Sequence, residues 1–214
     1  MILTEIKEGK REPERILKFE DGSILRTRKS VVAELGLYPG QALSEEETEL
    51  LHRAIDADGA KVRAARIVSA TNVSEKQLRR RLVRKGETPE NADAAAQWLT
   101  DLNLLDDRRT GETIVHSALQ KGYGARRIRQ ILREKEIPEE YWDELLAELP
   151  PMDAAVDKLL RKKLKHVPPS RGEAQRAAQA LLRSGHSWAD IKAGLERVSA
   201  EPDWEDTQCL PLSD

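Results

Sequence analysis

Apolar residues recur at helical spacing through most of the chain from residue 61 onward. Ile128, Ile131 and Leu132 are spaced as i, i+3 and i+4. Later segments repeat this spacing at 142, 145, 146 and 149, at 156, 159, 160 and 164, and at 191, 195 and 198. Such a period places the apolar side chains on one face of an amphipathic helix. The pattern predicts a mainly α fold.

Three helical segments are related by an internal period of fifty residues. The period aligns Leu82, Leu132 and Leu182 within segments 74–86, 124–136 and 174–186. Units of this size stack because one unit alone cannot bury its apolar face. We therefore predict tandem three-helix repeats that form an elongated curved array. A long surface without a pocket is more typical of a binding protein than of an enzyme.

The N-terminal part differs, because its short apolar runs predict strands. Runs at 2–7, 15–19 and 23–27 read as strands, and Asp21-Gly22 between the last two favours a tight hairpin turn. Ser44 with Glu47 forms a capping box that opens a helix, which we expect to end near Ala57. The expected region is a small β-hairpin with short helices.

Helix-start signals and proline breaks give the predicted domain limits. Ser74 and Ser170 begin further capping boxes, and Thr88-Pro89 combines an N-cap with a proline at the first helical position. The predicted parts are an N-terminal β-rich region at 1–58, three-helix repeats at 59–104, 105–150 and 151–199, and an acidic disordered tail at 200–214.

Each predicted repeat has a tryptophan in its third helix, namely Trp98, Trp142 and Trp188. A large aromatic side chain at a repeated position more often anchors a core than binds a ligand. We expect all three to be core anchors.

The charge is distributed unevenly along the chain. Charged residues make up 35% of the sequence and the net charge is −2, yet residues 61–200 hold 27 basic and 20 acidic residues. Residues 201–214 hold five acidic and no basic residues. A basic body predicts an anionic partner, and an acidic tail can screen it. The alternative is that surface helices are simply rich in charge.

Candidate binding residues lie on the second helices of the first two repeats. The basic side chains are Lys76, Arg79, Arg80, Arg81, Arg84 and Lys85 in the first repeat, and Arg126, Arg127, Arg129 and Arg133 in the second. Spacings of i, i+3 and i+7 put Arg126, Arg129 and Arg133 on one stripe. Guanidinium groups suit phosphates and carboxylates, although a solvated helix face is the alternative.

Arg81 has a further role in this prediction, and three more residues complete the candidate site. In the ungapped alignment Arg81 occupies the position of Ile131 and Leu181, so we expect it to point at a ligand surface between repeats. Tyr123 precedes the second basic helix and either reaches a partner or packs between repeats. Lys162 and Lys163 end the first helix of the third repeat, where the helix dipole also explains them.

Signals for catalysis or metal binding are poor. The four histidines have no ligand spacing, Asp106-Asp107 is best explained as a helix cap, and no nucleophile pairs with a base. The lone Cys209 allows neither a disulfide framework nor a cysteine metal site. No signal peptide or membrane span is visible. We expect a cytoplasmic monomer, not an enzyme, with no cofactor, metal or membrane contact.

Several motifs in order resemble one known family. They are LLDD at 104–107, KGYGARRI at 121–128, LLRKK at 159–163 and RSGHS at 183–187. Together they are similar to the RecX family, bacterial regulators of the RecA recombinase. The chain departs from the family pattern at Glu136, where a glycine commonly closes the second helix of the second repeat.

This resemblance implies an elongated helical-repeat protein that lies in the groove of the RecA filament on DNA. It implies inhibition of ATP hydrolysis, strand exchange and filament growth, with the basic stripes contacting RecA, DNA phosphate, or both. The rival interpretation is a nucleic-acid-binding module, on single- or double-stranded DNA, without a recombinase partner. A helical adaptor for another protein is a third.

Overall fold

A computed structural model of the chain describes residues 1–10 and 13–201. Over these residues the protein is mostly helical with a small N-terminal antiparallel sheet, which confirms the predicted fold class. Two compact units divide at Asp106 and Asp107. Except for Ala200 and Glu201, the predicted acidic tail lies outside the described residues, as does Cys209.

The N-terminal sheet has the order β1-β2-β3. Its strands are β1 (Leu3–Glu8), β2 (Glu14–Phe19) and β3 (Ile24–Arg28). Gly22 has a φ of 83°, and the Asp21 carboxylate accepts a 2.9 Å hydrogen bond from the Ser23 N–H. The predicted hairpin turn is therefore confirmed.

Helices α1 (Lys29–Glu34) and α2 (Glu45–Ala70) follow the sheet. Ser44 and Glu47 form the predicted capping box. The helix end expected near Ala57 is wrong, because α2 continues through the point where the first domain limit was placed. Leu51 is buried in the N-terminal core, and Ala60 and Ala64 in the next core. Apolar contacts along the whole helix outweigh its interior glycine, which costs about 1 kcal/mol relative to alanine.

Helices α3 (Glu75–Arg84) and α4 (Pro89–Asp101) complete the first unit against the C-terminal half of α2. Leu78, Leu82 and Leu99 are fully buried between them. Thr88 caps α4 with a proline at the first position, as predicted.

The second unit contains two helix triplets. The helices are α5 (Asp107–Gln120), α6 (Ala125–Glu134), α7 (Trp142–Ala147), α8 (Asp153–Lys163), α9 (Arg171–Arg183) and α10 (Trp188–Ser199), with a 3-10 turn at Glu139–Tyr141. Each triplet encloses its own apolar cluster. The limits of the individual domains stay a prediction.

The fifty-residue period shortens by one residue in the third repeat. Leu82 and Leu132 are fully buried, but Leu182 is 39% exposed and the buried leucine is Leu181. The helix-ending residues with positive φ agree, at Gly86, Glu136 and Gly185. The alignment of Leu182 with the first two leucines is therefore wrong, since 50 positions separate Leu82 from Leu132 but 49 separate Leu132 from the buried Leu181.

This shift changes which residue of the third repeat corresponds to Arg81. Its counterparts become Ile131 and Ala180, and all three positions are half-buried. The position is a boundary between core and solvent, where the aliphatic part of an arginine packs and its head reaches water. The idea that Arg81 replaces a core residue is therefore wrong.

The three tryptophans differ in burial. Trp142 is buried, and its indole N–H donates a 3.0 Å hydrogen bond to the Ile137 carbonyl. Trp98 is half-buried, while Trp188 is 56% exposed. The core-anchor prediction is confirmed for Trp142 and wrong for Trp188. With the one-residue shift, the fully buried Ile191 corresponds to Trp142, and Trp188 corresponds to the exposed Glu139.

Candidate functional site

Helix α6 presents a stripe of three arginines to solvent. Burial of Ile128 and Leu132 turns Arg126, Arg129 and Arg133 outward. Within residues 1–10 and 13–201, the side chains of Arg126 and Arg129 have no hydrogen-bond or ion-pair partner. Unpaired guanidinium groups on one face can receive phosphate or carboxylate groups from a partner.

Arg127 and Arg133 of α6 lie close to aromatic rings. The Arg133 guanidinium lies 5.5 Å from the centroid of the Trp142 ring, and that of Arg127 lies 6.0 Å from the Tyr123 ring. Arg127 also reaches Glu134, with 3.4 Å between nitrogen and oxygen. Tyr123 itself is half-buried against the core of its triplet. Arg127 and Tyr123 thus have structural contacts of their own, while Arg133 keeps an exposed head.

On α3 the predicted cations separate into paired and unpaired groups. Arg79 forms ion pairs with Glu75 of its own helix and with Asp93 of α4, the second at 3.0 Å. Arg80 is exposed and has contacts of its own. The exposed side chains without a partner in the described part of the chain are Lys76, Arg84 and Lys85.

Arg81 has a local structural contact. Its Nη1 donates a 3.0 Å hydrogen bond to the hydroxyl of Thr71, the C-cap residue of α2. The half-buried side chain therefore ties the start of the α2–α3 connection to α3. This contact explains why an arginine stands at position 81, and no ligand is needed for that explanation.

Lys162 and Lys163 lie exposed at the end of α8. The preceding Arg161 makes two hydrogen bonds to the Glu201 carboxylate, at 2.5 and 3.1 Å. The hydrogen bond from Arg161 lowers the pKa of Glu201, and the same bond raises the pKa of Arg161. The first acidic residue after α10 is thus paired to the basic end of α8.

The N-terminus of α6 is held by the end of α9 instead of by a side chain. Gly124 is the N-cap and has no side-chain cap. Its N–H donates to the Ser184 carbonyl at 2.9 Å, and the Arg126 N–H donates to the Gly185 carbonyl at 3.2 Å. Two N–H groups at the start of α6 therefore meet two carbonyls at the end of α9.

Two glycines allow this approach. A Cβ at Gly124 would collide with the Gly185 carbonyl, and a Cβ at Gly185 would collide with the Arg127 backbone. Gly185 also has a φ of 88°, a region that glycine adopts without strain. We call the contact between residues 122–127 and 184–186 the glycine junction.

His186 closes the glycine junction. The ring is 1% exposed, and its Nε2 lies 3.0 Å from the Gly122 carbonyl oxygen. Because a carbonyl only accepts, Nε2 carries the proton. The motifs around Gly124 and Gly185 were both visible in the sequence, but nothing there signalled that they touch.

Neither a metal cluster nor a membrane-spanning helix occurs among the described residues. No group of three or more His, Cys, Asp or Glu side chains there could hold a metal ion. No helix of residues 1–10 and 13–201 is both long and apolar enough to cross a bilayer.

Comparison with known proteins gives a consistent result. The family model "RecX, second three-helix domain" matches residues 106–146, which include α5, α6 and the Glu139–Tyr141 turn. Regulatory protein RecX of Ralstonia pickettii is 32% identical over 151 residues, covering 68% of this chain and 94% of that protein. The protein of the same name from Cronobacter sakazakii is 34% identical over 143 residues, covering 61% and 87%.

Two solved structures share the fold. A crystal structure of regulatory protein RecX matches with a TM-score of 0.75 at 21% identity, covering 92% of this chain and 98% of that one. The structure of RecX from Lactobacillus salivarius matches with a TM-score of 0.60 at 17% identity, covering 68% and 98%.

Proposed function

This chain belongs to the RecX family of regulatory proteins, and on that premise we propose that it binds the RecA–single-stranded DNA filament. Binding inhibits ATP hydrolysis, strand exchange and filament growth, and so modulates recombinational DNA repair and the SOS response. The protein acts in the cytoplasm as a monomer, with no cofactor and no enzymatic activity of its own.

One observation carries the proposal: on a face that also holds Arg133, α6 presents Arg126 and Arg129 with no partner among residues 1–10 and 13–201. An arginine that already has a carboxylate partner must break that pair to bind another anion, whereas these two need not. Each gives a planar fork suited to the carboxylates of a protein or the phosphates of DNA. The α6 stripe is therefore the principal contact in this proposal.

The glycine junction supports the same assignment. Backbone hydrogen bonds from Gly124 and Arg126 fix the first turn of α6 to the end of α9. A stripe on a fixed helix loses little conformational freedom when a partner binds, and that lowers the free-energy cost of association. Lys76, Arg84 and Lys85 of α3 form a second contact, and Lys162 and Lys163 a third.

Hydrolysis of ATP by a preformed RecA filament tests the proposal. The full chain is titrated into the reaction well below one molecule per RecA subunit. A fall in rate at such ratios supports regulation by binding to the filament. An unchanged rate, together with retained binding to naked DNA in a gel shift, would favour the nucleic-acid-binding module and overturn the proposal.

A further inference from the structure

A groove on the first unit lies outside the two basic stripes. It has a volume of about 490 Å³ and runs beside α2 to Trp98 of α4. Val62 and Ala65 contribute apolar surface, and Arg28 and Arg66 line it as well. The groove therefore combines an aromatic ring, an aliphatic floor and two guanidinium groups.

The groove holds one arginine without a partner in the described residues and one in an ion pair. Arg66 is exposed and has no hydrogen-bond or ion-pair partner in the described part of the chain. Arg28 is half-buried and forms an ion pair with Asp58, with 3.7 Å between Nε and Oδ2, which a phosphate would have to displace or share. The Nζ of Lys61 lies over the Trp98 ring, 5.9 Å from its centroid, which adds positive charge at this ring. The groove thus fits a ligand that is anionic and has a flat apolar part.

We propose that this groove binds single-stranded DNA, with phosphates on Arg66 and Arg28 and a base against Trp98. Stacking on an aromatic side chain needs no particular base, because every base has a π-face. Cations beside the ring hold the backbone, whose charge supplies most of the sequence-independent affinity. A base in a duplex is already stacked and cannot enter.

The walls of the groove argue against an extended acidic peptide. They come largely from α2, whose backbone N–H and carbonyl groups are paired inside the helix except for the carbonyls of its last turn. An extended peptide would find few backbone partners there and would leave its own polar groups without compensation. A nucleotide needs only a surface for its base and cations for its phosphate.

This site is proposed in addition to binding of the RecA filament. Its test contains no recombinase, so the groove proposal and the proposed function can fail independently of each other. Affinity of the full chain for a short fluorescein-labelled oligothymidylate is measured by anisotropy across a range of salt concentrations. We expect Arg66→Gln to weaken binding several-fold and to reduce the slope of log K against log salt by about 0.7, the value for one phosphate on a single strand.

The control is Arg53→Gln, which removes the same charge from an exposed arginine on α2 that lies away from the groove and has no partner in the described part of the chain. It should leave the slope unchanged. Equal slopes for the two variants would overturn the proposal. If Arg66→Gln weakened binding to a duplex of the same length by the same factor, that result would overturn the proposal as well, because the groove would then act through charge alone.

Tryptophan emission tests the stacking directly. In a Trp188→Phe/Trp204→Phe background, the buried Trp142 and the half-buried Trp98 remain. We expect the oligothymidylate to quench the emission, and Trp98→Phe to abolish the quenching. Quenching that persists without Trp98 contradicts the proposal. So does quenching of Trp98 only by an added peptide of residues 201–214 that carries Trp204→Phe, which would identify an acidic segment as the occupant.

Discussion

Helices α3 and α6 hold the same place in their triplets and have ten residues each, yet they are anchored differently. Ser74 caps α3 through its own side chain, which accepts a hydrogen bond from the Gln77 N–H. The N-terminus of α6 has Gly124 and depends on carbonyls from α9. Both helices divide their cations between ion pairs and solvent: Arg79 of α3 and Arg127 of α6 are paired, while other cations on each helix have no partner within the described residues.

The difference teaches that a basic pattern alone does not identify a binding face. Arg79 and Arg129 look alike in the sequence, but Asp93 from the next helix neutralises the first. Only the contacts between helices separate a cation that stabilises the fold from one that is free for a partner. Variants that exchange or remove the residues that hold the ends of α3 and α6 test whether the two helices differ in this way.

The largest effect should come from the glycine junction. Gly185→Ala must adopt a positive φ and must also push against the Arg127 backbone. Left-handed backbone costs about 1–2 kcal/mol for a residue with a Cβ, and overpacking costs about 1–3 kcal/mol more. We expect a total loss of about 2–5 kcal/mol in the free energy of unfolding, measured with urea.

Gly86→Ala is the matched control for this prediction. Gly86 ends α3 with a φ of 93°, but a Cβ there meets nothing within 4 Å. The control should therefore lose only the backbone part, about 1–2 kcal/mol. Equal losses for the two variants would show that the glycine junction adds nothing to stability.

Replacing the N-cap residue of α6 should destabilise the protein, although by less than Gly185→Ala and against the sign that N-cap preferences predict. Gly124→Ser gives α6 the same N-cap residue as α3, and N-cap preferences alone predict a slight gain. Because the new Cβ would collide with the Gly185 carbonyl, we expect a loss of about 1–3 kcal/mol instead. Ser74→Ala should lose about 1 kcal/mol from the cap of α3. Thermal and urea unfolding of both variants check the pair; a stabilised Gly124→Ser would contradict the described contact.

Arg81→Leu should have the smallest effect. The substitution removes the hydrogen bond to the Thr71 hydroxyl, which contributes about 1 kcal/mol, and adds apolar surface at a half-buried position that offsets part of the loss. Stability should change by less than about 1 kcal/mol, and inhibition of the RecA filament should be unchanged. Loss of inhibition by the folded variant would restore a ligand-binding role for Arg81.

Local features of the fold were predictable from the sequence. The Asp21-Gly22 turn and the capping boxes at Ser44 and Ser170 depend on residues within four positions of one another, so the sequence contains all that they need. The helical period likewise follows from spacing. The mainly helical fold with its small sheet could be derived on this basis.

Features that depend on distant contacts were not predictable. The one-residue shift of the third repeat was hidden because Leu181 and Leu182 are adjacent leucines, and only burial distinguishes them. Gly124 and Gly185 meet although sixty-one positions separate them. In the candidate site, the sequence indicated the cations but not the Arg79–Asp93 pair, which joins two helices.

The most direct test of the account reverses charge on α6. Arg126→Glu/Arg129→Glu is compared with Arg171→Glu/Arg176→Glu, an exposed pair on α9, and circular dichroism confirms that both variants are folded. Each introduced glutamate would repel an anionic group of the partner that the arginine attracts. We therefore expect the concentration of the α6 variant that half-inhibits RecA ATP hydrolysis to rise at least about tenfold. The α9 variant should inhibit like the unmodified chain. Full inhibition by the folded α6 variant would contradict the claim that this stripe is the principal contact.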